Sequence, residues 1–215
     1  MMTNLDLRKT STSLICRDWR ENMPLLTSLD LSRNNFTTVT YADLQFRGVE
    51  AVKVDLSRNN VRKLWYTKDD YRLATGPTIS SRAVVALGDN LICDCDTYWA
   101  ARALQERPAH VTLTAKCARE QEPRDVHKVA LDSLVCAAPE LCVAVRGCGC
   151  AWRDSGVDTP ARVLRVSCER AGLTRLADVL TPLTSAARRN NVTLSDYDWQ
   201  LHLAHNRIAD LTVTD

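Results

Sequence analysis

The sequence predicts an α/β solenoid. Stacked coils, each with a short strand and an irregular or helical return leg, form a rod whose ends are covered by cysteine-rich segments. Three observations carry this reading. An apolar frame, L-x-x-L-x-L-x-x-N-x-L-x-x-L, recurs along the chain. The hexapeptide Asp-Leu-Ser-Arg-Asn-Asn occurs twice, 25 residues apart. Eight of the nine cysteines crowd between residues 93 and 168.

The coils come first in the chain. Residues 26–39, "LTSLDLSRNNFTTV", fill the frame with Leu26, Leu29, Leu31, Phe36 and Val39. Residues 51–64, "AVKVDLSRNNVRKL", fill it with Ala51, Val54, Leu56, Val61 and Leu64. "RAVVALGDNLIC" aligns Val85, Leu87, Asn90 and Ile92, and "DWQLHLAHNRIADL" aligns Leu201, Leu203, Asn206, Ile208 and Leu211. The opening "TNLDLRKTSTSLI" is a poorer copy, with Leu5 and Leu7 in frame and Thr10 at the Asn position. The L-x-L pair alternates as a strand does, so both side chains point to one face. The Asn follows where the chain turns, and its amide can both donate to and accept from neighbouring backbone. Asn34, Asn59, Asn90 and Asn206 are the expected ladder. One coil cannot bury its own Leu row, whereas stacked coils bury a continuous one. These residues resemble leucine-rich repeats, which implies a curved solenoid with a parallel β-sheet on the concave side and irregular or helical legs on the convex side.

Residues 66–83, "YTKDDYRLATGPTISSRA", are longer than a connection between coils needs, and an extra turn or helix closed by Gly76-Pro77 is expected there. Asp69 and Asp70 read as solvated loop charges. Cys16, on the return leg of the first coil, reads as a buried free thiol. The segment "DTYWAARALQER" reads as a helix with Trp99, Ala103 and Leu104 on its apolar face.

Nine cysteines and two sequons, Asn35-Phe36-Thr37 and Asn191-Val192-Thr193, point together to the secretory route. Zinc sites favour C-x2-C, and the C-x-C pairs here reach a single ion poorly, so no metal is expected. The four histidines are scattered, and His202 falls between two core leucines, on the solvent side of its strand. No cofactor is expected either. The chain has no G-x-S-x-G, H-E-x-x-H or Gly-rich phosphate loop, and only seven glycines, so it is read as a binding or scaffolding protein, not an enzyme. A net charge of +2 offers no electrostatic case for nucleic acid or an anionic membrane. Neither a signal peptide nor a run long enough to span a bilayer occurs.

The cysteines fall into two groups of opposite order. Asn90 leads into Cys93-Asp94-Cys95, with Cys117 and Cys136 later, which resembles the C-terminal flanking cap of extracellular leucine-rich repeats. Cys142 comes before Cys148-Gly149-Cys150 and Cys168, which resembles the N-terminal flanking cap that opens a new solenoid. Gly172-Leu173-Thr174-Arg175-Leu176 matches that cap's continuation, with Ala177 where a proline is usual. The resemblance implies the pairs Cys93–Cys117, Cys95–Cys136, Cys142–Cys150 and Cys148–Cys168. From cysteine count alone, each group of four allows three connectivities. The implied organisation is repeats over 1–92, a C-terminal cap over 93–136, an N-terminal cap over 137–180, and the start of a second, truncated array over 181–215.

Caps placed back to back in mid-chain resemble the ectodomain of the Toll receptor family of insects and other invertebrates, the multiple-cysteine-cluster type. That resemblance implies a single-pass cell-membrane receptor with this segment on its extracellular side, a signal peptide upstream, and a transmembrane helix and TIR domain downstream. Its partner would be a cystine-knot cytokine of the Spätzle type, with receptor homodimerisation and innate immune or developmental signalling. The chain is expected to be a middle slice, since it opens inside a repeat and closes without a cap. The alternative is a Slit-like guidance or adhesion protein built from the same modules.

In either case the variable strand positions would face a protein partner: Thr27, Ser28, Asp30, Ser32 and Arg33 in one coil, Val52, Lys53, Asp55, Ser57 and Arg58 in the next. Asp30, Arg33, Asp55 and Arg58 are the candidates for contact. The bland alternative is that each Asp pairs with a nearby Arg on the surface, which contributes little.

Overall fold

The computed structural model describes residues 2–47, 51–75, 83–106, 111–118, 123–154 and 162–212. The expected Gly76-Pro77 turn lies outside the described residues. The chain divides into two compact units, Met1–Leu134 and Val135–Asp215, so the division falls two residues before the expected boundary between the caps.

In the first unit the L-x-L pairs become strands of one sheet. β1 (Asn4–Asp6), β2 (Ser28–Asp30), β3 (Thr38–Thr40), β4 (Val52–Asp55), β5 (Lys63–Trp65), β6 (Ala83–Leu91), β7 (Val111–Cys117) and β8 (Arg124–Asp125) follow in chain order. The main sheet runs β1-β2-β4-β6-β7-β8, parallel up to β7, with β8 antiparallel at the edge. β3 and β5 form a separate parallel pair on the return legs. Register places Leu5, Leu29, Val54, Val85 and Leu113 opposite one another in sequence. Leu29, Val54 and Val85 are all 2% exposed or less, as are Leu31, Leu56 and Leu87 two residues on. Burying each such side chain is worth about 1.5–3 kcal/mol relative to leaving it in water, and only stacking provides that burial. Ala51, although in frame, is exposed, and Val52 takes the inward place beside it at 1%.

Helices interrupt the coils. α1 (Arg17–Glu21) follows the first coil, and α2 (Lys68–Thr75) fills the long connection. Asp70 is no loop charge. Its carboxylate accepts from the Thr67 amide and hydroxyl, and its own amide donates to the Thr67 hydroxyl, a reciprocal cap at the start of α2. α3 (Tyr98–Glu106) is buried on more than one face, with Tyr98, Trp99, Ala100, Ala101 and Ala103 all enclosed and Leu104 half-buried.

In the second unit, α4 (Pro139–Cys142) and α5 (Ala177–Arg189) pack on a sheet of order β12-β11-β10-β9. These strands are β9 (Cys136–Ala137), β10 (Gly149–Asp154), β11 (Arg162–Ser167) and β12 (Tyr197–His202). β10 pairs antiparallel with β9 and β11, whereas β11 and β12 run parallel, as coils do. The core gathers Leu141, Leu164, Val166, Val179, Leu183 and Ala187. Val179, Leu183 and Ala187 recur every four residues, which places them on one face of α5.

Candidate functional site

The coils that begin with β1, β2 and β4 leave their strands by the same turn. The last aspartate of the strand folds back on the chain: Asp30 Oδ1 accepts from the Ser32 amide at 2.9 Å, and Asp55 Oδ1 from the Ser57 amide at 2.8 Å. Asp6 does the same with the Arg8 amide at 3.1 Å. The chain then enters the left-handed region at a residue that is not glycine: Lys9 (φ 58°), Arg33 (59°) and Arg58 (56°). L-residues resist that conformation by roughly 1–2 kcal/mol.

The asparagine that follows holds the turn. Asn34 Nδ2 donates to the Leu7 and Leu31 carbonyls at 2.7 and 3.0 Å, and its Oδ1 accepts from the Thr10 and Thr12 amides at 2.9 and 3.1 Å. Asn59 donates to the Leu31 and Leu56 carbonyls, both at 2.9 Å, and accepts from the Phe36 amide at 3.1 Å. In the second unit Asn206 donates to the Cys168 and Leu203 carbonyls and accepts from the Leu173 amide, again after a left-handed residue, His205.

Asn90 is placed differently. It is exposed and, among the described residues, donates only to the Asn59 carbonyl, at 3.3 Å. β6 continues past the point where the other strands turn, and its register slips between Ala86 and Gly88 and again before Leu91. The positive φ falls on Gly88, one residue earlier than in the preceding coils. The slip carries Leu91 into the core at 1% exposure and leaves Ile92 half-buried. Val52 also departs from expectation, since it faces the core instead of a partner.

The turns align into two rows across a groove of about 660 Å³. One row is Asp6, Asp30 and Asp55, the other Lys9, Arg33 and Arg58. Among the described residues, Asp30 and Asp55 do not pair with Arg33 and Arg58 of their own coils. Arg8 reaches Asp6 at 2.6 Å and Asp30 at 3.4 Å instead. The Arg8 guanidinium holds the Asp6 carboxyl below its ordinary value, chiefly through their side-chain hydrogen bond. Among the described residues, the side chains of Lys9, Arg33 and Arg58 have no hydrogen bond or ion pair.

Eight cysteines are oxidised. Cys93 is bonded to Cys117, Cys142 to Cys150 and Cys148 to Cys168, with Cα separations of 5.4, 5.5 and 4.2 Å. Cys95 and Cys136 are disulfide-bonded as well, so neither offers a metal a thiolate. Cys16 is free and half-buried. In the first cap, α3 is held against α2 by aromatic and ionic contacts. Tyr71 donates its hydroxyl to Glu106, and Arg102 lies 5.4 Å from the Tyr71 ring and 5.7 Å from the Trp99 ring. Both sequon asparagines, Asn35 and Asn191, are exposed. Asn191 also borders a hollow of about 580 Å³ shared with Tyr197 and Arg162.

No family model matches the chain. Over 141 residues it is 30% identical to Protein toll of Drosophila melanogaster, an alignment covering 65% of this chain and 12% of that protein. The chain is thus similar in sequence to one segment of a Toll receptor. In three dimensions 93% of this chain superposes on 28% of a chain in the Drosophila Toll–Spätzle complex, with a TM-score of 0.59 and 22% identity. The glycosylated form of that complex gives 0.56 and 24%, over 91% of this chain and 27% of the other. The fold is therefore a leucine-rich-repeat solenoid with cysteine caps. It spans about an eighth of the length of its curated Toll relative. Among the described residues no helix is long and apolar enough to cross a membrane.

Proposed function

We propose that this segment belongs to the extracellular side of a single-pass Toll-like signalling receptor. In this reading the receptor recognises a Spätzle-type cystine-knot cytokine, homodimerises, and signals in innate immunity or development through a cytoplasmic TIR domain outside these residues. The order of the disulfides carries the reading. The Cys93–Cys117 bond lies after a set of stacked coils, and the Cys142–Cys150 and Cys148–Cys168 bonds lie before a new one. Such a sequence of closing and opening caps suits a long ectodomain and has no use in a protein of one array. The likeness to Protein toll supports the same reading. The fourth bond is assigned as Cys95–Cys136, and glycans are assigned to Asn35 and Asn191. The protein-facing positions are placed on the charged turn rows that contain Asp30, Arg33, Asp55 and Arg58.

The test uses the 215-residue chain secreted from insect cells and immobilised for binding to a mature Spätzle-type dimer. It is paired with a cell reporter driven by the intact receptor. Binding in the first assay, and loss of reporter response when these residues are deleted from the receptor, are expected. Absence of both effects overturns the proposal.

A further inference from the structure

We infer that the row Lys9, Arg33 and Arg58 is a docking edge for an acidic segment of a protein partner. This rests on the receptor reading above and sharpens it, because it separates the two charged rows of the groove. The carboxylates of Asp6, Asp30 and Asp55 are engaged within the fold. Each accepts a backbone amide two residues on, and Arg8 lies against two of them. The three cations opposite are unengaged among the described residues.

Their backbone makes the choice of residue informative. All three occupy left-handed positions, where glycine or asparagine is the residue that sterics favour. Long cations stand there instead, in three successive coils, and no contact within the fold accounts for them. The same coil position carries Arg170 and His205 in the second unit, also at positive φ. Strands in a sheet lie about 4.7–4.9 Å apart, so the three head groups can gather on a span of about 10 Å.

A uniform polyanion such as a sulfated polysaccharide would meet the aspartate row as well as the cations. The groove holds three carboxylates against four cations, Arg8 included. A peptide segment fits both rows better, with its acids toward Lys9, Arg33 and Arg58 and its amide donors toward the aspartates and Ser57.

The experiment compares the wild-type chain with the triple variant Lys9→Asn, Arg33→Asn, Arg58→Asn. Asparagine tolerates the left-handed backbone, and unchanged circular dichroism and free-thiol count would establish that the variant is folded. If it does not fold, Arg33→Asn alone is used. The probes are a fluorescent (Glu-Ser)4 peptide, its (Lys-Ser)4 counterpart, and a sulfated octasaccharide of matched charge. The expected result is binding of the acidic peptide, weakened by added salt, and at least tenfold weaker in the variant. Binding of the Lys peptide, equal binding by both proteins, or binding of the octasaccharide alone overturns the inference. A Spätzle-type dimer that binds wild type and variant equally also overturns it while leaving the receptor reading intact.

Discussion

At the residue scale, two asparagines in equivalent sequence positions have different environments. Asn59 is buried and joins three backbone groups from two coils, whereas Asn90 is exposed and makes one long bond. Asn59→Ala strands the Leu56 carbonyl and the Phe36 amide, while the Leu31 carbonyl keeps its bond from Asn34, and is expected to cost about 2–4 kcal/mol, since each unmade buried hydrogen bond costs about 1–3. Asn90→Ala is expected to stay within about 0.5 kcal/mol. Urea unfolding of the two variants checks both values, and similar losses would refute the ladder as described. The frame letters could not separate them, because they are identical. Gly88 was the available signal: glycine supplies a positive φ without a steric penalty, so it can shift a turn by one residue. Tyrosines give a second prediction. Burial pushes the Tyr66, Tyr41 and Tyr71 phenols up, with Glu106 adding to the effect on Tyr71. A raised folded value stabilises the protein fully below the ordinary phenol value of 10 and is lost as pH rises through the folded values. Phenolate absorbance from these three is therefore expected to appear together with unfolding in an alkaline titration, not before it.

At the scale of elements, the disulfides are the strongest local constraints. By loop entropy, losing the 20-residue Cys148–Cys168 link is expected to cost about 3 kcal/mol and losing the 8-residue Cys142–Cys150 link about 2.5. Paired Cys→Ser variants followed by thermal unfolding measure the difference. Cys16 stands at the N-cap of α1 and makes no side-chain cap bond there. Serine is among the favoured N-cap residues, so Cys16→Ser is expected to leave stability unchanged or raise it by up to about 1 kcal/mol. Elements whose apolar spacing is strong were legible, such as the coil strands and α3. α5 was not read, although Val179, Leu183 and Ala187 carry a helical period, because that stretch was occupied by a cap motif that usually continues with proline. The hairpin of β10 and β11 was also missed. Its strands alternate weakly, with Arg153 and Arg165 half-buried among the apolar positions.

At the scale of the whole chain, oxidation state is the decisive bulk property. Thiol labelling of the denatured, unreduced protein is expected to find one reactive group, Cys16, and nine after reduction. Eight or nine before reduction would refute the capped architecture. Several carboxylates, the exposed Asp6 and the half-buried Glu21, Asp125, Asp178 and Asp210, are held low mainly by hydrogen bonds. Depressed folded values stabilise above the ordinary carboxylate range and are lost as pH falls through them. With the tyrosines acting at the other end, thermal stability is expected to form a plateau around neutrality that falls on both sides. The parallel stacking of the coils was legible because it depends on repeat register. The division of roles between the aspartate and cation rows was not, because it depends on backbone dihedrals that the letters do not specify.

Cys168 is fully buried, two residues beyond Val166, where the repeat frame would place a leucine. The first rung of the second array is therefore a sulfur, and that sulfur is tied to Cys148. Reduction would leave Cys168 in place as a small buried thiol but cut its tie to Cys148, so the paired strands β11 and β12 are expected to lose stability under reductant.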